Sequence, residues 1–362
     1  MGALIVIAGG GTGGHVFPAL AVAGELRRRD ASREMLFLGA VGGIETRLVP
    51  AAGFALRTLR LGGIAGKSLV ARVRSLVQAS AATLRCAAMF LRRRPALVMG
   101  VGGFASGPAV LAALAIRVPT LIQEQNAEPG LTNRWLGRFV DRVALSLPGS
   151  EARFGSRAFV AGNPIRPEFF RIPPYAGPSD RLRILVFGGS RGARTLTRAT
   201  VSALDHLADV AGRISIVLQT GEAEHAGAAR ACEGKGFDIE VLPFIDDMPA
   251  RLTAADLVVC RSGAGTVFEL AAAGRASVLV PFPFSAGGHQ EKNADWLARE
   301  GAAAVVSDAE MTGSRLAGTV REALAAPASL TARAEAARRL ARPRAAEEIA
   351  DAAESLMGGR RP

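Results

Sequence analysis

Cysteine, lysine and the larger aromatic residues are scarce in this chain. Its 362 residues include three cysteines, two tryptophans and one tyrosine, and three lysines stand against 41 arginines. Cys86, Cys232 and Cys260 are far apart and odd in number. That disfavours a disulfide framework or a cysteine-based metal site, and it favours reduced thiols in the core. The shortage of tyrosine and tryptophan disfavours a stacking surface for nucleic acid, so we expect no nucleic-acid partner.

The sequence also lacks a long apolar run. Arg85 and Arg117 interrupt the best candidates for an apolar run of about 18 residues, which disfavours a membrane-spanning helix. The chain begins directly with a predicted strand, so we expect no signal peptide and a cytoplasmic location. With 49% apolar residues, and with 42 glycines spread along its length, the composition is typical of a two-domain α/β protein.

Acidic residues are absent from positions 46–123, a stretch that carries eleven bases. The whole chain has a formal net charge of +12, so this stretch accounts for almost all of the excess. Apolar residues lie among the arginines between positions 69 and 94, and a helix of that kind can rest in the headgroup layer of an anionic membrane. A solvated helix face in an arginine-rich protein is the alternative interpretation. The basic residues predicted to contact a membrane are Arg72, Arg74, Arg92, Arg93 and Arg94.

Four times, an apolar run ends in a glycine-rich turn that precedes a predicted helix. These turns are residues 9–15, 100–107, 188–193 and 261–266. Glycine permits a tight turn with accessible N–H groups, and the helix dipole adds positive charge beside them. Each turn is therefore a candidate phosphate site. Two turns in each half of the chain predict two nucleotide-binding halves that face one cleft.

Strands and helices alternate along the chain. The predicted strands are 3–8, 35–39, 96–99, 119–123, 183–187, 214–218, 239–242, 256–260 and 277–280. The predicted helices of the first half are 16–29, 68–93, 107–116 and 130–138. This alternation predicts doubly wound parallel sheets with ligands beyond the carboxyl ends of the strands. We place the domains at 1–163 and 164–343, and we expect helix 344–357 to pack back on the first domain.

Two motifs of other nucleotide-binding proteins are incomplete. Gly9, Gly11 and Gly14 match the dinucleotide pattern, but no carboxylate follows after about 20 residues to bind a ribose. Residues 62–68 resemble a P-loop, but its first glycine would be Leu61 and no predicted strand precedes it. A dehydrogenase and a P-loop protein are therefore disfavoured.

Polar side chains follow several of the glycine turns. His15 comes directly after the first, where an imidazole can accept a proton from a hydroxyl, although it could also be an ordinary helix-terminal residue. Glu269 follows Gly265 by four residues. It could accept hydrogen bonds from ribose hydroxyls, or it could be a solvated carboxylate near a helix start.

Neutral amides stand at two further places. Gln290 and Asn293 are three residues apart, so on a helix they share one face, and amides suit sugar hydroxyls because they both donate and accept. Asn126 follows the carboxyl end of predicted strand 119–123, where a polar group would face the cleft, and turn formation is the alternative interpretation. Asp246 and Asp247 are interpreted as a loop and helix N-cap, and we expect no metal ion that the chemistry requires.

Taken together, the order and spacing of eight segments are highly specific. They are Gly9–Pro18, Gly102–Pro108, Gln123–Asn126, Gly162–Arg166, Gly188–Arg194, Phe244–Met248, Cys260–Glu269 and His289–Ala294. Over essentially its whole length the chain resembles the bacterial N-acetylglucosaminyltransferases that convert lipid I to lipid II in peptidoglycan synthesis. The resemblance implies a GT-B fold, with two Rossmann-like doubly wound domains facing a cleft. It also implies a peripheral enzyme at the cytoplasmic face of the bacterial inner membrane.

The implied reaction is inverting transfer of N-acetylglucosamine from UDP-N-acetylglucosamine to the 4-hydroxyl of the muramoyl unit of lipid I, without a cofactor. In this resemblance Ile245 meets the uracil, Glu269 the ribose and Ser190 the diphosphate. The implied donor site comprises Thr12, Gly13, Gly14, Asn126, Arg166, Ser190, Ile245, Ala264, Gly265, Thr266, Val267, Phe268, Glu269, Gln290 and Asn293. The implied acceptor-diphosphate residues are Gly102, Gly103 and Ser106. His15 is our candidate for the general base.

Two other functions remain open. A related UDP-sugar transferase could act on another lipid, such as diacylglycerol, and only acceptor and sugar assays separate the two. A membrane-associated nucleotide-sugar sensor without turnover is disfavoured, because the polar residues that catalysis would need are all present. The sequence does not predict an oligomeric state.

Overall fold

The computed structural model describes residues 2–61, 69–178 and 180–359, with the backbone alone over 69–73. The P-loop-like segment 62–68 and the side chain of Arg72 lie outside these described residues. The chain divides into two compact units. The first unit is Met1–Arg166 with Arg342–Pro362, and the second unit is Pro167–Ala341.

The first unit contains a parallel sheet with helices on both faces. Its strands are β1 (Leu4–Ala8), β2 (Glu34–Ala40), β3 (Ala55–Leu59), β4 (Leu97–Gly100), β5 (Thr120–Glu124), β6 (Arg142–Leu145) and β7 (Ala158–Val160). Its first five helices are α1 (Gly13–Arg29), α2 (Glu45–Ala51), α3 (Leu69–Arg92), α4 (Ser106–Ala115) and α5 (Leu131–Leu136). Among the described residues the strand order is β3-β2-β1-β4-β5-β6-β7, and every neighbouring pair is parallel.

The second unit repeats this architecture. Its strands are β8 (Leu182–Phe187), β9 (Ile214–Gln219), β10 (Asp238–Leu242), β11 (Leu257–Cys260), β12 (Ser277–Leu279) and β13 (Ala303–Val305). Its helices are α6 (Arg194–His206), α7 (Glu222–Cys232), α8 (Met248–Ala254), α9 (Ala264–Ala273), α10 (His289–Arg299), α11 (Gly313–Ala325) and α12 (Pro327–Arg339). The order is β10-β9-β8-β11-β12-β13, again all parallel within the described residues. The two doubly wound sheets confirm the predicted fold class.

The central strands are apolar throughout because both faces of each sheet are covered. In β1 all five residues are buried. Ile5 and Ile7 belong to the core on one face, and Val6 and Ala8 to the core on the other. Such a strand shows a continuous apolar run in place of alternation.

The last helix of the described residues is α13 (Ala345–Met357), which lies in the first unit against α1. Ile349 and Leu356 are buried in the same core as residues of α1. Arg29 donates hydrogen bonds to Asp351 and Glu354 at 2.6 and 2.8 Å, and Arg33 donates to Glu354 at 2.7 Å. Apolar burial and ion pairs thus both attach the last helix to the first.

In the described part of the chain, no helix combines the length and apolar character needed to cross a membrane.

Candidate active site

The turn after β1 places His15 in the first turn of α1. This helix begins at Gly13, three residues before the predicted start, so Gly13, Gly14 and His15 are helical. The His15 Nδ1 atom lies 3.0 Å from the Thr12 hydroxyl oxygen. That contact orients the imidazole, and it links two of the predicted site residues.

The turn after β4 packs directly against the turn after β1. A Cβ atom added to Gly102 would lie 2.8 Å from His15 Nε2, and one added to Gly103 would lie 2.4 Å from the Gly10 carbonyl oxygen. Gly102 also has a φ of 86°, which other residues rarely adopt. The glycines therefore let two turns approach each other and leave room for the imidazole.

Ser106, the third predicted acceptor-diphosphate residue, is placed differently. It begins α4, but its side chain is fully buried, and its hydroxyl oxygen would lie 2.5 Å from a Cβ added to Gly100. The hydroxyl thus faces the sheet. An anion at this helix could meet only the backbone of Ser106, not its side chain.

At the end of β5, the buried carboxylate of Glu124 organises the segment that contains Asn126. One carboxylate oxygen accepts hydrogen bonds from the Asn126 backbone N–H at 2.9 Å and its side-chain amide at 3.3 Å. The other accepts from the Gly130 N–H at 3.0 Å and from Asn133 Nδ2 at 2.9 Å. Burial raises the pKa of Glu124, and these four donors act in the opposite direction. Asn126 is thus held by a carboxylate two residues earlier, and Asn133 is a supporting residue that the sequence analysis missed.

Arg166 lies at the end of the first unit. Its guanidinium carbon is 5.6 Å from the centroid of the Phe17 ring, a cation–π arrangement. Phe17 belongs to α1, and a Cβ added to Gly13 would lie 3.1 Å from its ring. The structure therefore places Arg166 over the helix that carries His15.

In the second unit, the turn after β8 leaves Ser190 exposed before α6. The Gly188 N–H donates to the Gln219 side chain at 3.2 Å. A Cβ added to Gly192 would lie 1.8 Å from the Thr220 carbonyl oxygen, so this turn is packed tightly on the next loop. Tight packing at its base fixes Ser190 at the tip.

The turn after β11 leads into α9, whose N-cap residue is Gly263 and therefore offers no side chain to cap the first N–H groups. Gly265 and Thr266 are half-buried there, and a Cβ added to Gly265 would meet no atom within 4 Å. Glu269 is half-buried in the next turn of the helix. An uncapped helix start with an open glycine is suited to an anion such as a diphosphate.

Three predicted donor residues of α9 have buried side chains: Ala264, Val267 and Phe268. The Phe268 ring lies 4.8 Å from the Trp296 ring, centroid to centroid. These side chains pack in the interior, so a bound molecule could meet only their backbone.

Ile245 is likewise buried, in the loop before α8. Asp247 accepts a hydrogen bond from the Ala250 N–H at 3.2 Å, which confirms the predicted N-cap.

Helix α10 supports the β11–α9 turn from behind. Ser262 donates its hydroxyl hydrogen to the Gln290 carbonyl at 2.8 Å, and Asn293 Nδ2 donates to the Ser262 carbonyl at 3.1 Å. The Asn293 side chain is 0% exposed. The Gln290 side-chain oxygen accepts from the Phe282 N–H at 2.9 Å. The two amides were predicted to read a sugar, and the structure shows both of them bracing loops.

Arg261 joins three loops of the second unit and was missed as a site residue. It donates to the carbonyls of Val280 and Pro281 at 3.0 and 3.1 Å, and it pairs with Asp308 at 2.5 Å. Thr195, in the first turn of α6, donates to the same carboxylate at 3.0 Å. Because these residues are far apart in the sequence, its local patterns give no signal for such a network.

Within the described ranges, no group of three His, Cys, Asp or Glu side chains is placed to hold a metal ion.

Helix α3 carries the predicted membrane face. Leu76, Val77, Leu84 and Leu91 are exposed on it, together with Arg74, Arg85 and Arg92. Two of the predicted bases have partners inside the unit: Arg93 pairs with Glu34 at 2.6 Å, and Arg94 donates to the carbonyls of Ile116 and Arg117 at 2.9 and 3.0 Å.

Comparison with known proteins covers both units. Residues 5–145 match the glycosyltransferase family 28 N-terminal domain, and residues 183–356 match the glycosyltransferase family 28 C-terminal domain. The chain is 44% identical over 98% of its length to a protein of Anaeromyxobacter dehalogenans (strain 2CP-C), of which 93% is covered. It is 45% identical over 98% of its length to a protein of Solibacter usitatus (strain Ellin6076), of which 96% is covered.

Both relatives are named UDP-N-acetylglucosamine–N-acetylmuramyl-(pentapeptide) pyrophosphoryl-undecaprenol N-acetylglucosamine transferase. A crystal structure of MurG from Acinetobacter baumannii superimposes with a TM-score of 0.83 at 31% identity, and the match covers 98% of this chain and 99% of that one. The chain therefore belongs to glycosyltransferase family 28 and, within it, to the family of these N-acetylglucosamine transferases.

Proposed function

We propose that this protein transfers N-acetylglucosamine from UDP-N-acetylglucosamine to the muramoyl 4-hydroxyl of lipid I, with inversion, to give lipid II and UDP. The observation that carries the proposal is the similarity of the chain, at 41–45% identity over 98% of its length, to relatives that are named as N-acetylglucosamine transferases with this donor and this lipid-linked muramyl acceptor. The geometry of both units is compatible with it. Transfer to another lipid, such as diacylglycerol, finds no such support.

The donor is proposed to bind in the second unit. The uncapped start of α9, at Ala264–Thr266, and the exposed Ser190 hydroxyl would hold its diphosphate. Glu269 would accept hydrogen bonds from the ribose hydroxyls, and the backbone at Ile245 would meet the uracil. When the glycosidic bond breaks, the charge that develops on the leaving UDP would be stabilised by N–H groups already in place.

His15 is proposed to accept the proton of the attacking hydroxyl in the first unit. For Nε2 to act as the base, Nδ1 must carry the hydrogen and donate it to the Thr12 hydroxyl oxygen, 3.0 Å away. A positioned general base contributes about 10²–10⁴-fold to the rate. We expect His15→Ala to reduce kcat by at least about 100-fold while the Kd for UDP is unchanged.

A matched control for that variant is His225→Ala. His225 is also half-buried, but it lies on α7, where its Nε2 is 3.2 Å from the Val241 carbonyl oxygen. We expect it to retain wild-type kcat. If His15→Ala also retains wild-type kcat, the role of general base belongs to another residue.

Peripheral binding to the cytoplasmic face of the inner membrane is proposed for the exposed surface of α3. Exposed apolar side chains of α3 lie on the same helix as the exposed Arg74, Arg85 and Arg92. Each base near an anionic surface contributes about 1 kcal/mol, so Arg74→Gln with Arg92→Gln should weaken binding to phosphatidylglycerol vesicles by about 30-fold.

The control for the vesicle experiment is Arg93→Gln, because Arg93 is already paired with Glu34. We expect this substitution to weaken vesicle binding less than the double substitution. Equal binding by the wild type and the double variant would contradict a membrane role for this surface.

The reaction itself is tested with radiolabelled UDP-N-acetylglucosamine and either a lipid I analogue or diacylglycerol as acceptor. The proposal predicts a labelled disaccharide-lipid from the lipid I analogue alone. A product from diacylglycerol alone would instead establish the second candidate function.

A further inference from the structure

The carboxylate of Glu45 is buried beneath the glycine turn that leads to His15. Glu45 is the first residue of α2, and it is only 1% exposed. One carboxylate oxygen accepts a hydrogen bond from the Gly11 N–H at 2.8 Å, and the other accepts from the Ala40 N–H at 2.8 Å. A single side chain therefore joins the turn after β1 to the end of β2.

Three glycines make room for this carboxylate. A Cβ atom added to Gly10, Gly39 or Gly43 would lie 2.3, 2.4 or 2.3 Å from an atom of the Glu45 side chain. These glycines come from three places in the chain: the turn after β1, strand β2 and the loop before α2. Because these three residues have no side chains, they leave a space that the Glu45 carboxylate fills. A side chain at any of the three positions would collide with that carboxylate.

This arrangement changes the interpretation of the first glycine turn. The sequence pattern predicts that its N–H groups bind the phosphate of a ligand. In the structure the Gly11 N–H is bound by an internal carboxylate, which stands where such an anion would be. The hydrogen bond to Glu45 therefore fixes the backbone at Gly11, directly before Thr12 and the first turn of α1.

We propose that Glu45 is a positioning residue for the reaction: it holds Gly11 and so sets the positions of Thr12 and the His15 imidazole. The inference rests on the proposed role of His15. Glu45 does not touch substrate, because it is buried, and it acts only through the backbone of the turn. A shift of about 1 Å in a catalytic group can reduce a rate by about 100-fold.

The test substitution is Glu45→Gln, which keeps the shape but replaces one acceptor oxygen with an NH₂ group that faces a backbone N–H. We expect kcat to fall by about 10- to 100-fold while the KM for UDP-N-acetylglucosamine stays within about twofold. In a His15→Ala background, the same substitution should reduce kcat by less than about threefold, because residues that act as one unit are not additive.

The matched control is Asp141→Asn. Asp141 accepts hydrogen bonds from the backbone N–H and the hydroxyl of Thr120 at 2.8 and 2.9 Å, at the opposite end of the sheet from the glycine turns. It is thus a carboxylate that holds backbone without holding the turn. We expect it to lower the unfolding midpoint in urea and to leave kcat within about twofold of wild type.

A readout independent of turnover separates this inference from the proposed function. The chain has only four histidines, so the ring ¹⁵N signals of His15 can be assigned by substitution. Glu45→Gln, or the milder Glu45→Asp where the first does not fold, should shift these signals, and Asp141→Asn should not. Unchanged His15 signals, or a loss of kcat equally large with and without His15, would overturn the positioning role. Absence of lipid II synthesis by the wild type would instead contradict the proposed function and leave the spectroscopic result valid.

Discussion

Asn293→Ala distinguishes two ways in which one amide could act on donor binding. The resemblance implies that this side chain reads the sugar, whereas the structure shows it fully buried, with Nδ2 donating to the Ser262 carbonyl at 3.1 Å. We therefore expect Asn293 to act by supporting the turn that leads into α9.

The magnitude follows from the hydrogen bond that is lost. Removing the amide forfeits about 1 kcal/mol for the bond and about 1–3 kcal/mol for a buried carbonyl without a donor. The free energy of unfolding should thus fall by about 2–4 kcal/mol. If the displaced turn loses one N–H contact to the diphosphate, about 1.5–3 kcal/mol of binding is also lost, which raises the Kd for UDP by about 10- to 150-fold.

The assay compares UDP with UDP-N-acetylglucosamine by titration calorimetry, together with urea unfolding. Support of the turn predicts that both ligands bind more weakly and that the protein is less stable. Asp295→Ala, an exposed change on the same helix, should alter stability by no more than about 0.5 kcal/mol. If Asn293→Ala weakens only UDP-N-acetylglucosamine and leaves UDP affinity and unfolding unchanged, the side chain reads the sugar directly and the support argument is refuted.

Three further predictions concern the stability and reactivity of the fold. Although partial burial acts in the opposite direction, hydrogen bonds from Arg33 and Arg29 lower the pKa of Glu354. Its ionised form therefore stabilises the first unit above the unfolded pKa of about 4.3, and this contribution disappears as pH falls through the lower folded value. Glu354→Gln should cost about 1 kcal/mol in urea unfolding at pH 7 and nothing near pH 2; an equal effect at both values would contradict the ion pairs. Burial raises the pKa of Cys86 to about 11 and raises those of Cys232 and Cys260. Ellman's reagent at pH 8 should therefore find no fast thiol in the native protein and all three after denaturation, and a fast native reaction would contradict their burial. Gly103→Ala should lower both stability and kcat, because its Cβ would lie 2.4 Å from the Gly10 carbonyl oxygen at a φ of 77°; wild-type values in thermal unfolding and turnover assays would contradict the close packing of the two turns.

The sequence predicted the elements that carry strong local signals. Apolar runs that end in glycine located β1, β4, β8 and β11, and residues 16–29 were correctly assigned to a helix. Strands β7 and β13 were missed because each is a short, partly buried strand at the edge of its sheet, whereas the equally short β12 is fully buried and was predicted. Strand β6 was missed as well. Strand β3 was missed because its residues are exposed or half-buried, so its pattern shows no apolar face.

The site divides in the same way. Turns and the helix starts beside them are local, and the glycine pattern predicted them. The groups that support those turns are distant in sequence: Glu45 is 34 residues from Gly11, and Asn293 is 31 residues from Ser262. Spacing cannot predict such contacts, because they depend on which strands become neighbours in the folded sheet. The roles of Gln290 and Asn293 in reading a sugar stay predictions, and the hydrogen bonds that both side chains make to neighbouring loops depend on such distant contacts.

Hydrogen exchange of the full-length protein, with and without UDP, tests most directly whether the second unit binds the donor. The account predicts that UDP slows exchange in peptides that cover Gly188–Ala193 and Gly263–Glu269. It also predicts that the same concentration of UDP slows exchange less in Glu269→Ala than in the wild type. Protection confined to the turn at residues 9–15, or no change at saturating UDP, would contradict it.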